Sequence, residues 1–295
     1  MIKDQPIISI CIPTFNREKF LEECLESIVM QFKDREILNK VEIIIGDNNS
    51  IDKTEYLVSK YRKKYKNIYY YKNKRNLPIA KGIINVGKYA KGKYIWFCSD
   101  DDAHASKSLS SILKKIDKFS PSVIFCNLNE YSRDMKKIVH SNSLGIDKDY
   151  YIHNRKELYD FLNERFFYAI DWYTSAYSNL ILKKDVFDKN YILSKKYNSK
   201  YDLFPEALAV FYTHKDYDIY ASCDKIIKYR SGNVKWRPEN KKDFLIYWDK
   251  LLTNHYKYIS SINQEILPLT FKLKLKIKRL IRLIRLYILL PLLNY

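Results

Sequence analysis

The chain has 295 residues, enough for one large α/β domain or a domain with an appendage, and its 46% hydrophobic content argues against global disorder. A formal net charge of +19 points to anionic partners: nucleic acid, phospholipid or nucleotide. Only 6 residues are Gly, and neither Gly-rich phosphate loop motif occurs. The five cysteines (Cys11, Cys24, Cys98, Cys126, Cys223) contain no C-x-x-C, so they indicate neither a zinc site nor a disulfide framework.

In chain order, residues 7–12 form an apolar run that stops at Pro13. Residues 18–31 follow with helical spacing, placing Phe20, Leu21, Cys24, Leu25, Ile28 and Val29 on one face. Residues 41–45 are a second apolar run. Residues 54–65 are predicted helical, with Tyr56, Leu57 and Tyr61 as the apolar side. Strands are predicted at 68–71, 94–98 and 123–126, and helices at 79–90 and 106–119. Strands alternating with helices of this length indicate βαβ units and a parallel sheet over residues 1–128.

The second half is less regular. Residues 156–167, 204–213 and 244–258 are predicted helical, and 219–221 and 226–229 short strands. From Leu267 onward the tail has no acidic residue. Within residues 271–290, Leu273, Ile277, Leu280, Ile281, Ile284 and Ile288 fall on one helical face, opposite Lys274, Lys278, Arg282 and Arg285. That pattern predicts a basic amphipathic helix lying on an anionic membrane surface. It is too short and too charged to span. The first residues are polar and carry no signal-peptide core, so the expected location is cytoplasmic, peripheral on the inner face of the membrane.

The most informative stretch is Tyr94-Ile95-Trp96-Phe97-Cys98-Ser99-Asp100-Asp101-Asp102, an apolar strand ending in three carboxylates. Three repelling charges at a strand end call for a cation. Hard ions such as Mg²⁺ and Mn²⁺ choose oxygen ligands and are commonly shared with substrate phosphates. In an extended backbone Asp100 and Asp102 would face one side. The competing reading is a solvated acidic turn. Two further polar loops follow apolar strands: Pro13-Thr14-Phe15-Asn16-Arg17 and Asp47-Asn48-Asn49-Ser50-Ile51-Asp52. In an open α/β sheet all three gather at the C-terminal edge, where ligands bind.

The run from Ile8 to Arg17, the loop from Asp47 to Thr54, and Ala90 to Ile95 leading into Asp100-Asp101-Asp102 together resemble the family 2 glycosyltransferases. The wording of the last is similar to a bacterial surface-polysaccharide branch that includes abequosyltransferase-like enzymes. The resemblance implies an α/β GT-A fold with a doubly wound mixed sheet. It implies a nucleotide-sugar donor, a Mn²⁺ or Mg²⁺ cofactor, and inversion during transfer to a glycan or lipid-linked acceptor. The implied domains are a donor-binding half (1–128), an acceptor-binding half (129–262) and a membrane-associating tail (263–295). By position, Pro13, Thr14, Phe15, Asn16 and Arg17 would line the nucleotide, and Asp47 would meet the base, uracil first. Asn49 and Asn76 join the nucleotide-sugar set, with Asp100 and Asp101. Asp100 and Asp102 would hold the metal. Family members often carry an Arg-Asn pair before the metal strand; here the nearest cation is Lys81.

Inverting transfer needs a general base for the acceptor hydroxyl. The candidates are Asp202, then Glu206, then Asp171. Trp172, Tyr173, Tyr177 and Trp236 could stack on acceptor sugar, although core packing is the commoner role of an aromatic. Two rivals stand beside this reading. A nucleic-acid-binding protein fits the charge, but no reader motif appears and no nucleic acid is expected as a partner. A sugar nucleotidyltransferase would normally carry a Gly-rich basic loop near the N-terminus, which is absent.

Overall fold

A computed structural model describes residues 5–165, 177–189, 216–232 and 277. β1 (Ile8–Thr14) leads through α1 (Glu18–Val29) and a short α2 (Arg35–Lys40) to β2 (Val41–Asp47). Next come α3 (Thr54–Lys64), β3 (Ile68–Lys72), α4 (Ile79–Val86) and β4 (Tyr94–Phe97). A two-residue β5 (Ala103–His104) precedes α5 (Ser108–Phe119) and β6 (Val123–Tyr131). Then follow β7 (Ile138–His140), β8 (Tyr150–Ile152), α6 (Arg155–Glu164), β9 (Leu180–Lys183) and β10 (Ile219–Arg230).

The described strands form one sheet in the order β3-β2-β1-β4-β9-β6-β10-β5, with β7 against β6 and β8 against β10. β1 to β4 are mutually parallel, so their C-terminal ends share an edge. β9 lies antiparallel between β4 and β6, which makes the sheet mixed. The all-parallel reading of residues 1–128 therefore holds for β1 to β4 and is interrupted at β9. Three apolar residues and a lysine carry too little pattern to announce an inserted strand. The two short strands predicted near 219–229 are one strand, β10, whose register with β6 slips between Ser222 and Ile227.

Strand alternation divides the core between two faces. Ile8, Ile10 and Ile12 pack with the buried sides of α1, α3 and α5. Cys11, Ile95 and Phe97 pack on the opposite face with α4 and α6. On α3 the buried side is Thr54, Leu57, Val58 and Tyr61. Tyr56, expected among them, is 62% exposed. α4 ends at Val86 rather than continuing to Ala90, and Gly87 opens a 3₁₀ turn. Cys11, Cys24, Cys98 and Cys126 are buried free thiols. No helix among the described residues is long and apolar enough to cross a membrane. The amphipathic tail, apart from Ile277, lies outside the described residues.

Candidate active site

The three loops named from sequence meet at the shared C-terminal edge of β1, β2 and β4. Asparagine tolerates the left-handed backbone that tight turns need, and both Asn16 (φ 51) and Asn49 (φ 71) use it. The Asn16 side chain accepts from the Ile51 N–H at 2.8 Å, and the Asn16 N–H donates to Ser50 Oγ at 2.9 Å. The first loop is thus clipped to the second. Asn48 donates its backbone N–H to the Thr14 carbonyl at 2.8 Å. Its side chain donates to the Leu77 carbonyl (2.8 Å) and to Asn76 Oδ1 (2.5 Å), tying in the segment after β3.

The acidic residues after β4 form a turn, not an extended strand. The expected two-residue alternation therefore does not apply. Instead Arg17 spans neighbours, donating from Nη1 to Asp100 and from Nη2 to Asp101, both at 2.9 Å. Thr14 Oγ1 donates to the other oxygen of Asp100 at 2.8 Å. Asp102 faces elsewhere. It accepts from Ser178 Oγ at 2.5 Å and from the Arg230 N–H at 2.9 Å. Arg230 also donates from Nε to the Asp101 carbonyl at 2.8 Å and pairs with Glu23. The Phe20 ring lies beneath both guanidinium groups, with centroid distances of 5.3 Å for Arg17 and 5.1 Å for Arg230.

Electrostatics follow from this packing. Burial, reinforced by Asp101, holds Asp100 and Asp102 above the usual carboxylate range despite their hydrogen bonds. Burial, and then the charge of Asp100, push the Tyr177 hydroxyl well above the ordinary phenol range. The turn is short of positive charge even with Arg17 in place. Among the described residues no three or more His, Cys, Asp or Glu side chains gather as a metal cage. An all-oxygen turn with buried carboxylates still fits a hard divalent ion that takes its other ligands from a diphosphate. Asp101 also accepts from the Ser99 hydroxyl, and its side chain is the more accessible of the pair, 13% against 4% for Asp100.

Thr14, Asn16, Arg17, Asp100 and Asp101 thus come together, with Asp47 and Asn49 in the adjoining loop. Asp47 is fully buried. Its oxygens accept from the Ser50 N–H (2.7 Å) and the Tyr70 hydroxyl (2.5 Å). Asn76 is exposed, and Lys81 is exposed on α4. Asp202, Glu206, Asp171, Trp172, Tyr173 and Trp236 lie outside the described residues. Sequence reasoning did not single out Ser178, Arg230 or Asn48. Ser178 and Arg230 stand 76 and 128 positions from Asp102, in no motif, so only the folded sheet brings them to the turn. An arginine closing an apolar strand was the one available signal for Arg230.

Comparison with known proteins agrees with this geometry. The abequosyltransferase RfbV of Salmonella typhimurium is 33% identical over 186 residues, covering 62% of this chain and 54% of its own. The GalNAc(5)-diNAcBac-PP-undecaprenol beta-1,3-glucosyltransferase of Campylobacter jejuni is 29% identical over 226 residues, covering 73% and 64%. The chain therefore spans between about half and two thirds of these relatives. Among solved structures, TarS 1–349 of S. aureus with UDP-GlcNAc superposes with a TM-score of 0.62 at 18% identity, covering 94% of this chain and 72% of that one. The mannosyltransferase PcManGT of Pyrobaculum calidifontis, with GDP-Man and Mn²⁺, gives 0.54 at 15% identity, covering 93% and 69%. These neighbours fix the fold as GT-A. The family model for glycosyl transferase family 2 matches residues 9–189, more than half of the chain and all three loops, and the chain belongs to that family.

Proposed function

We propose that the chain is an inverting glycosyltransferase that moves a sugar from a nucleotide-sugar, a UDP-sugar first, to a glycan or lipid-linked acceptor of a bacterial surface polysaccharide. The observation that carries this reading is the Asp100–Asp101 turn, bridged by Arg17 and joined to the clipped loops at the sheet edge. The Campylobacter relative, named for a glycan linked to undecaprenol, supports the acceptor class. Structures with UDP-GlcNAc and with GDP-Man support the donor class.

In this reading Thr14 and Arg17 orient Asp100, and Arg17 holds the turn while the donor is absent. A Mn²⁺ or Mg²⁺ ion bound there would supply positive charge to the departing diphosphate. The metal-facing pair expected from sequence was Asp100 with Asp102. That pair is kept, and Asp101 is added to it as the more accessible neighbour of Asp100, since all three carboxylates have protein partners that an ion would replace. Asn16, Asn49 and Asn76 are kept as nucleotide-side residues, and Asp47 shapes their loop. Lys81 is kept as a candidate diphosphate contact. Asp202 is the first candidate base for the acceptor hydroxyl, with Glu206 and Asp171 behind it. The tail cations Lys274, Lys278, Arg282 and Arg285 would hold the enzyme at the cytoplasmic leaflet.

The test is a panel of nucleotide-sugars with and without Mn²⁺, with released nucleotide identified. Release of a nucleoside diphosphate is expected, faster with metal. Release of pyrophosphate would make the chain a nucleotidyltransferase. Failure of every donor to turn over or to raise the melting temperature would overturn the reading.

A further inference from the structure

The charge of this molecule is unevenly placed. Residues 60–75 hold eight Lys and Arg and no Asp or Glu, a large share of the net +19 of the whole chain. All eight are exposed. They flank β3, the edge strand of the sheet: five lie on α3 and the turn that follows it, and three at and beyond the end of the strand. Lys63, Lys64 and Lys66 lie before β3, and Lys72, Lys74 and Arg75 at and beyond its C-terminal end. β3 runs parallel to β2, so this upper end is on the active-site edge. There Asn73 and Leu77 bond the same Asn48 that holds the second loop. Of these cations Lys72 pairs with Glu55, at 2.9 Å.

Solubility does not require eight cations on one edge. Exposed charges of one sign repel, and their attraction to a partner fades within a Debye length. Only a broad anionic surface pressed against the strand engages them together. Clusters of four to eight Lys and Arg are what an anionic leaflet recruits. The tyrosines between the cations decide against single-stranded nucleic acid, which needs open rings for stacking. Tyr71 is stacked on Tyr89 at 3.8 Å, Lys91 lies 5.4 Å over Tyr69, and the Tyr70 hydroxyl is held by Asp47.

We propose that the β3 edge is a second membrane-docking surface, separate from the tail, which seats this side of the folded domain on an anionic bilayer and brings the active-site end of β3 beside the headgroups. The docking stands without the transferase reading; only its use, access to a lipid-linked acceptor, rests on it. The test is co-sedimentation of the full chain with phosphatidylcholine vesicles, with and without about 30 mol% phosphatidylglycerol. Three full-length variants are compared. One carries K63Q, K64Q, K66Q, K74Q and R75Q. A charge-matched control carries K107Q, K114Q, K118Q, K136Q and K137Q. A tail variant carries K274Q, K278Q, R282Q and R285Q. The β3-edge variant is expected to lose at least about tenfold in partition to anionic vesicles, and the control less than about threefold. Equal losses in the two would mean generic charge attraction and overturn the proposal. So would full binding by the β3-edge variant, or loss of RNA binding in a gel shift with vesicle binding intact. Vesicle binding is measured without donor, so an inactive transferase leaves the outcome readable.

Discussion

The loop after β2 and the turn after β4 carry similar numbers of carboxylates and treat them differently. In the first, Asp47 is closed by the Ser50 N–H and the Tyr70 hydroxyl, and Asp52 accepts from the Glu18 and Thr54 N–H groups. Hydrogen bonds from these neighbours hold Asp52 below the usual carboxylate range, outweighing its burial. In the second, the Arg17 guanidinium bridges Asp100 and Asp101, neutral donors hold Asp102, and burial still leaves Asp100 and Asp102 raised. A carboxylate satisfied by neutral donors builds a loop. One that must borrow an arginine can exchange that arginine for an incoming cation. Acidic composition alone does not separate the two cases, whereas the identity of the partners does.

The largest test of this contrast is Asp101→Asn. Transfer should fall about 100- to 1,000-fold while the urea midpoint barely moves, because the site loses charge and not packing. Asp47→Ala should do the reverse. It orphans the Ser50 N–H and the Tyr70 hydroxyl and should cost about 1–3 kcal/mol in urea denaturation. If Asp101→Asn unfolds the protein as readily as Asp47→Ala, the two loops do not differ as argued. Gly92→Ala belongs on the same scale. An added Cβ would meet the Ser9 backbone nitrogen at 2.7 Å, so a loss of about 1–3 kcal/mol is expected with the site untouched. An unchanged melting temperature would show that the β1–β4 approach can yield.

Legibility in the sequence followed the same division. The parallel strands were plain because Ile8, Ile10 and Ile12 alternate and helices of regular period separate them. The three loops were plain because each follows such a strand. β9 and the Ser178–Arg230 clasp were not, since their partners are far away in the chain and no local period marks them. The Arg17 bridge between Asp100 and Asp101 was hidden for another reason. It depends on backbone direction after Phe97, where the strand has already given way to a turn.

A smaller effect lies just beyond that turn. The His104 ring is buried, packs 4.5 Å from Trp96, and its Nε2 has no hydrogen-bond partner among the described residues. Burial pushes its pKa down to about 3. The unfolded chain takes up a proton near pH 6.5 that the folded chain refuses. Stability is therefore complete above that pH and is lost as pH falls toward 3, by about 1 kcal/mol per unit. Urea midpoints taken at neutral pH and about two units lower should converge in His104→Phe relative to the parent. An unaltered difference would mean that the ring is protonated in the fold.

The smallest expected effect sharpens the comparison from the other side. Ile51 sits in the neutral-bonded loop, where its N–H is held by Asn16 at 2.8 Å. Its side chain is 89% exposed. If that loop acts through its backbone, Ile51→Ser should change stability by less than about 0.5 kcal/mol and leave transfer within about threefold. Asn16→Ala removes the acceptor and places alanine at a positive φ, so it should cost about 1–2 kcal/mol. A large loss of transfer in Ile51→Ser at unchanged stability would put an apolar side chain against the substrate. The second loop would then be a contact surface and not only a frame.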